Sequence, residues 1–360
     1  MRILFLSDAK SYHTQRWVNY FVDRGHGCSL ITLDQGFDTK AQEFFIPTKV
    51  LPNFLKYPFS LPRIKKIVEK IKPDLVNAHF VPNYGFIGAL LSAGSVGKTR
   101  PLVISTWGSD VLISPKKSWL HKKRAEYILR KADLVTADAE ISAQAVYRLG
   151  VDRQRVLISP MGVERRMLGC QKKKEKPYLL ILSNRKLEPL YDVATLLRAI
   201  PLVIKQAQQE VRFVILGEGS HKSHLLNLAI KLKIESCVEF KESVLKETLL
   251  KYYLDSDIYV STSLSDSTSV SLLEAMNFGL IPIVTDISGN REWIDDRENG
   301  FLFPISDHKV LAEKIIHTIN EFTVWPAFRE KNEAIIKSRA IWEDNMKTIE
   351  DCFCKLVGSD

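Results

Sequence analysis

Asp266 and Glu274 stand with seven residues between them in the stretch SDSTSVSLLEAMNFG. Ser267, Thr268, Ser269 and Ser271 are residue types that cap helix starts. A loop of them delivers free backbone N–H groups and the positive end of a helix dipole to one point. Such a point binds phosphate. Glu274 lies among Leu272, Leu273, Ala275 and Met276, apolar on more than one face, so the helix should be buried and its carboxylate should need a partner. A lone Glu in a helix more often faces solvent; here its neighbours argue against that.

The elements that must position these groups are a short β-branched and aromatic run, Ile258 to Val260, then the polar loop, then a helix from Ser271 to Phe278 closed by Gly279. Pro282, a strand at Ile283 to Thr285, Gly289, Glu292 and Asn299-Gly300 follow. The whole stretch resembles the donor-binding signature of family 4 glycosyltransferases, retaining enzymes of the GT-B fold. In that signature two acidic residues bracket seven others ahead of an Ala-Met pair and a Gly that precedes a Pro. The family usually has Glu and an aromatic-Gly pair at the first acidic position, where this chain has Asp266-Ser267-Thr268.

Asn184-Arg185-Lys186-Leu187-Glu188-Pro189 follows a strand, and a cation at a strand's C-terminal end in a doubly wound sheet faces the ligand crevice. An Arg fork suits a diphosphate. Family members place an Arg here and a Lys a few residues on. Arg185 matches, Leu190-Tyr191-Asp192 takes the place of the Lys, and Lys186 is the candidate substitute; the alternative for both is a solvated surface charge. Gly217-Glu218-Gly219 also ends a strand but lacks the third glycine of a dinucleotide fingerprint, so a plain turn competes with a loop beside the nucleotide base.

In the first half, Ser7-Asp8 ends a strand and precedes His13-Thr14-Gln15-Arg16-Trp17. Strand-end loops line such clefts, although a single His is more often structural. Trp107-Gly108-Ser109-Asp110 resembles the family's His-Gly-x-Asp segment with Trp107 replacing the histidine. Its Asp110 could instead cap the next helix.

The chain has 360 residues, more than one hydrophobic core usually serves. Strands alternating with crossover-length segments predict two series of parallel-sheet units. Ile3–Leu6, Cys28–Leu33, Asp74–His79, Leu102–Thr106, Leu134–Ala137 and Val156–Ser159 form the first. Tyr178–Leu182, Val211–Leu216, Val238–Phe240, Ile258–Val260 and Ile283–Thr285 form the second. The charged stretch Gln171 to Pro177 is the expected linker, giving domains of 1–170 and 171–339. The resemblance implies that a closing helix in 340–360 returns to the first domain. The apolar start is too short for a signal peptide and no run is long enough to span a membrane, so the chain is expected in the cytosol. Five cysteines show no paired or zinc-like spacing. No nucleic-acid-binding motif is present.

Residues 1 to 170 carry a charge balance of +12 and residues 171 to 360 one of −3. Lys116 to Lys131, KKSWLHKKRAEYILRK, interleaves basic residues with an aromatic and aliphatic stripe. This suits an interfacial helix on an anionic membrane, or an ordinary helix with its apolar side in the core.

Taken with the resemblance, the expectation is an α/β protein of GT-B fold, two Rossmann-like doubly wound domains facing a central cleft. It implies a metal-independent retaining glycosyltransferase that moves a sugar from a nucleotide-diphosphate sugar to a glycan or lipid-linked hydroxyl acceptor, with no cofactor. By the same resemblance Glu274 holds the ribose hydroxyls and Asp266 meets the donor sugar. Arg185 and the amides of Ser267, Thr268 and Ser269 hold the diphosphate, and Lys186, Gly217 and Glu218 complete the donor site. His13, Arg16, Trp107, Gly108 and Ser109 serve the acceptor, with Asp110, Asp266 and Arg185 as catalytic groups. The alternatives are a nucleotide-sugar epimerase of the same architecture, which acts on the donor alone, and a non-catalytic nucleotide-sugar-binding protein.

Overall fold

A computed structural model describes residues 1–36, 39–48, 53–93, 100–169, 176–242 and 244–358. The chain divides into two compact units, Met1–Pro160 with Asp344–Asp360, and Met161–Glu343. Of the charged stretch expected to link them, residues 171–175 lie outside the described residues.

The first unit is built on a seven-stranded parallel sheet. Its strands are β1 (Arg2–Leu6), β2 (Gly27–Thr32), β3 (Gln42–Phe45), β4 (Leu75–His79), β5 (Leu102–Ser105), β6 (Leu134–Ala137) and β7 (Val156–Ile158), in the order β3-β2-β1-β4-β5-β6-β7. Ile3 to Leu6 and Leu102 to Ser105 are buried throughout, because helices cover both faces and leave no solvent side for polar residues. The helix Trp342–Val357 packs on this unit. Phe353 stacks on Phe21 with ring centroids 5.3 Å apart, and the buried Glu350 accepts hydrogen bonds from Tyr20 Oη and Arg24 Nε, both at 3.2 Å. His26 Nε2 lies 2.8 Å from the same carboxylate.

The second unit has six parallel strands, β8 (Leu179–Asn184), β9 (Val211–Leu216), β10 (Val238–Lys241), β11 (Ile258–Ser261), β12 (Ile281–Thr285) and β13 (Phe301–Phe303). Their order is β10-β9-β8-β11-β12-β13. Side chains alternate between two cores, Ile181, Phe213 and Ile258 on one face and Leu182, Val214 and Tyr259 on the other. The strand order reverses between β1 and β4 in the first unit and between β8 and β11 in the second. In doubly wound sheets loops diverge at such switch points, and ligands bind beyond the strands' C-terminal ends.

Two edge strands escape the sequence reading. β3 has only half-buried or exposed residues and so no apolar run, and β13 is three residues long after the Asn299-Gly300 turn.

Candidate active site

In the second unit the switch point collects the predicted donor residues. The helix after β11 runs Val270–Asn277, and Ser269 caps it by accepting from Leu272 N–H at 3.4 Å. Arg185 leaves the end of β8 and reaches across to the loop after β11. Its Nη1 donates to Ser269 Oγ at 2.7 Å and Ser271 Oγ at 3.0 Å, and its Nη2 forms an ion pair with Asp266. The guanidinium lies over the Tyr191 ring, 4.6 Å from the centroid. Burial opposes its charge, but the Asp266 carboxylate and the neighbouring tyrosines more than offset this, so its pKa is raised and it stays cationic. Arg185 thus ties the start of the helix, the acidic loop and its own strand into one rigid corner. Any anion bound there meets a cation already shared with Asp266.

Glu274 is half-buried, and its partner is Tyr253, whose Oη donates to Glu274 Oε2 at 2.8 Å. Tyr253 is fully buried, stacks on Phe278 at 5.3 Å and receives a hydrogen bond from Asn184 Nδ2 at 2.8 Å. Burial, followed by the charge of Glu274, raises the Tyr253 pKa well above the ordinary phenol value, which keeps it a neutral donor. Consecutive residues at the end of β8 therefore secure both acidic groups, Asn184 through Tyr253 to Glu274 and Arg185 directly to Asp266. Tyr253, Asn184, Tyr191 and Tyr259 were not singled out from sequence. Tyr253 lies on a separate helix, Lys246–Asp255, and its only local signal is an aromatic in an apolar pattern.

Ser267, Thr268 and Ser269 are buried, and the loop that carries them is backed by Gly289. A Cβ at Gly289 would come within 2.3 Å of Ser267 O and 2.5 Å of Asp266 O. The glycines of Gly217-Glu218-Gly219 have an equally physical reason. A Cβ on Gly217 would meet Arg185 O at 2.2 Å and one on Gly219 would meet Leu187 O at 2.3 Å, so this loop packs backbone to backbone on the Arg185 segment. Leu187 N–H donates to Glu218 O at 2.9 Å, while the Glu218 side chain is exposed and pairs with Lys222. Lys186 is exposed and does not join the Arg185 corner.

In the first unit His13 and Arg16 sit in the first turns of the helix Tyr12–Asp23, both half-buried. The His13 ring lies 5.3 Å from Trp107, and Trp107 lies 5.2 Å from His79. Gly108 adopts φ +90°, the left-handed region that glycine enters without strain, and turns the chain into the short helix Ser109–Leu112, where Ser109 is exposed. Asp110, expected as a catalytic group, is completely buried instead. Its carboxylate accepts from Val81 N–H at 3.0 Å and Trp107 N–H at 2.9 Å, fastening two strand-end loops together. Burial raises its pKa to about 6 against the pull of these amides. It holds the Trp107 loop in place and has no surface to offer a ligand.

His79 closes β4. It is buried in a polar chain that crosses the sheet: Thr14 Oγ1 to Ser7 Oγ at 2.7 Å, Ser7 to His79 Nδ1 at 3.0 Å, His79 Nε2 to Asn77 Oδ1 at 2.9 Å, and Asn77 Nδ2 to Ser105 Oγ at 2.9 Å. Burial depresses its pKa to about 3, so the ring is neutral. Among the described residues no group of three or more His, Cys, Asp or Glu side chains is arranged to hold a metal ion. No helix of the described residues is long and apolar enough to cross a membrane.

Two families match the chain, Glycosyl transferase 4-like over residues 2–139 and Glycosyl transferases group 1 over residues 170–338. Among curated relatives, the putative colanic acid biosynthesis glycosyltransferase WcaL of Escherichia coli K12 is 25% identical over 69% of this chain and 62% of its own length. The UDP-Gal:alpha-D-GlcNAc-diphosphoundecaprenol alpha-1,3-galactosyltransferase of Escherichia coli is 25% identical over 75% of this chain and 73% of its own. Matched segments span from 25% to 75% of such relatives' lengths. Among solved structures, a sucrose-phosphate synthase from Thermosynechococcus elongatus superposes with a TM-score of 0.85 at 14% identity, covering 100% of both chains. Anabaena HepE in complex with UDP and glucose superposes with a TM-score of 0.80 at 18% identity, covering 99% of this chain and 100% of its own. The chain belongs to the group 1, family 4-like glycosyltransferases, and its fold is GT-B.

Proposed function

We propose that the chain transfers a glycosyl group from a nucleoside diphosphate sugar to a hydroxyl of a glycan or lipid-linked acceptor, with retention of anomeric configuration. The observation that carries the reading is the convergence of Arg185, Asp266 and Glu274 at the switch point of the second sheet. Glu274 accepts from the ribose hydroxyls. Arg185, paired with Asp266, turns part of its fork to the diphosphate as Asp266 turns to the donor sugar. The bond from the anomeric carbon to the diphosphate oxygen breaks with both electrons going to the oxygen, where Arg185 and the helix start meet the growing charge. The acceptor oxygen bonds to that carbon from the face the nucleotide leaves, and its proton passes to a diphosphate oxygen. Asp110 acts by fixing the Trp107 loop, with His13, Arg16 and Trp107 on the acceptor side. The charge on the leaving group is met by protein groups alone, so the reading requires no metal and no cofactor; a chelator is then expected to leave turnover unchanged.

Uridine is the base favoured by the relatives, one named as using UDP-Gal and one solved with UDP-glucose. Screening UDP, GDP and ADP sugars for thermal stabilisation tests the reading, since a ligand at a hundred times its Kd adds about 2.7 kcal/mol. Transfer of the sugar from the stabilising donor to an added glycan or polyprenyl-diphosphate-linked acceptor is the expected outcome. Stabilisation by none of them would overturn it.

The acceptor side favours a lipid-linked substrate on an anionic membrane surface, with the chain in the cytosol. On the helix Trp119–Arg130, Trp119 and Leu120 are 71% and 68% exposed beside the exposed Lys116, Lys117, Lys122 and Lys123. A large apolar pair ringed by cations suits shallow insertion between headgroups. Arg124 is not part of this face. It is half-buried, donates to Pro82 O at 2.9 Å and covers the Phe86 ring at 4.1 Å.

A further inference from the structure

The geometry points to Tyr253 as a positioning residue for nucleotide recognition, acting with Asn184 to fix the orientation in which Glu274 meets the ribose. The inference rests on the ribose role proposed above for Glu274, and adds to it the group that determines how strongly the site distinguishes a ribonucleotide from a deoxygenated one.

A carboxylate on a helix of eight residues has three side-chain torsions to lose on binding, and a ligand that must freeze them binds more weakly than one meeting a carboxylate already oriented. Tyr253 removes that freedom. Its ring is fully buried and stacked on Phe278 at an interplanar angle of 8°, so its hydroxyl has a fixed place. From there it reaches Glu274 Oε2 at 2.8 Å and Ser271 O at 3.3 Å, both on the helix that carries the site. Asn184 Nδ2 donates to the phenol oxygen and occupies its acceptor side, so the phenol proton is directed to the helix. The resulting series, Asn184 to Tyr253 to Glu274, spans the end of β8, the helix Lys246–Asp255 and the helix Val270–Asn277. A tyrosine serving only as core would need one partner for its hydroxyl. This one is bound on both sides, with the functional carboxylate at the end.

Calorimetry tests this with whichever ribonucleoside diphosphate of UDP, GDP and ADP binds, compared with its 2′,3′-dideoxy counterpart. The wild type is expected to prefer the ribonucleotide by about tenfold or more, and Glu274→Gln to abolish that preference. Tyr253→Phe keeps the ring and its stack. It should weaken the ribonucleotide about three- to tenfold, leave the dideoxy compound unchanged, and have no further effect in the Glu274→Gln background. Asn184→Ala should act in the same direction more weakly, which keeps the test open if Tyr253→Phe fails to fold. Equal weakening of both nucleotides would mark Tyr253 as merely structural, and an intact ribonucleotide preference in Tyr253→Phe would equally overturn the inference. A wild type blind to the ribose hydroxyls, or a Glu274→Gln variant that keeps the preference, would instead overturn the ribose reading together with it.

Discussion

Arg185 makes three side-chain bonds within the protein, and this shapes what its loss should do. Arg185→Ala releases Ser269, Ser271 and Asp266 and, on the proposed chemistry, removes a cation from the oxygen that becomes charged in the transition state. Turnover should fall by about a hundredfold or more, with donor KM less affected, because the interaction strengthens as charge develops. Arg185→Lys should recover little, since one ammonium cannot span three partners. Steady-state kinetics separate these terms, and a loss confined to KM would reduce Arg185 to a positioning role. Glu274→Gln should keep the fold while weakening ribonucleoside diphosphate binding by about 1.5–3 kcal/mol.

His79 predicts a pH effect of definite sign. Its folded pKa of about 3 lies below the ordinary histidine value near 6.5, so the unfolded chain takes up the proton first. Its contribution to stability is complete above pH 6.5 and is lost as pH falls towards 3, by about 1.4 kcal/mol per unit. Between pH 6.5 and 4.5, a His79→Gln variant should lose about 2–3 kcal/mol less than the wild type in urea unfolding. This residue also shows a limit of sequence reading. Asn77 stands two residues before it on the same strand, but nothing in LVNAH marks His79 as part of a polar chain, because Ser7 reaches it only when β1 and β4 pair in register. Asp266 and Glu274, by contrast, were legible because their spacing is set by one loop and one helix, and spacing within an element survives in a sequence. Tyr253 and Asn184 were not, because their relation to Glu274 is purely spatial.

At the scale of elements, the longer buried strands were visible as apolar runs, while β3 and β13 were missed for lack of length or burial. The glycine loop needed the structure for its meaning, since a glycine that permits two backbones to touch looks in sequence like one that makes a turn. A second contact of this kind gives a prediction at Gly289. A methyl group there must push back the carbonyls of Asp266 and Ser267, so Gly289→Ala should depress turnover far more than melting temperature. Loss of stability in proportion would show that the loop cannot yield. For the helix Trp119–Arg130, changing Lys117, Lys122 and Lys123 to Glu should abolish salt-sensitive sedimentation with anionic vesicles and leave neutral vesicles unaffected. Equal sedimentation of wild type and variant would return the acceptor to solution. Arg124 stays unchanged in this variant because its guanidinium closes the protein's own core.

For the molecule as a whole, the first unit is assembled from two separated parts of the chain, with residues 161–343 forming the second unit in between. Glu350→Ala removes the acceptor shared by Tyr20, Arg24 and His26. It should speed amide hydrogen exchange in residues 12–23 and 344–357 while leaving β8 unchanged. Equal acceleration in both units would show that the helix Trp342–Val357 stabilises more than the sheet it covers.

That discontinuity has a consequence for synthesis on the ribosome. Residues 1–160 emerge with Phe21 uncovered, and the segment bearing Phe353 follows only after the whole second unit has been made. At ordinary elongation rates the delay is about 10–40 s, long compared with the folding of a small domain. The nascent first unit must wait with an apolar face open, where a chaperone that holds exposed hydrophobic surface would engage it. A message cut short after residue 343 would yield a chain whose second unit is complete and whose first is not, a product expected, on the proposed function, to bind donor and aggregate rather than transfer sugar.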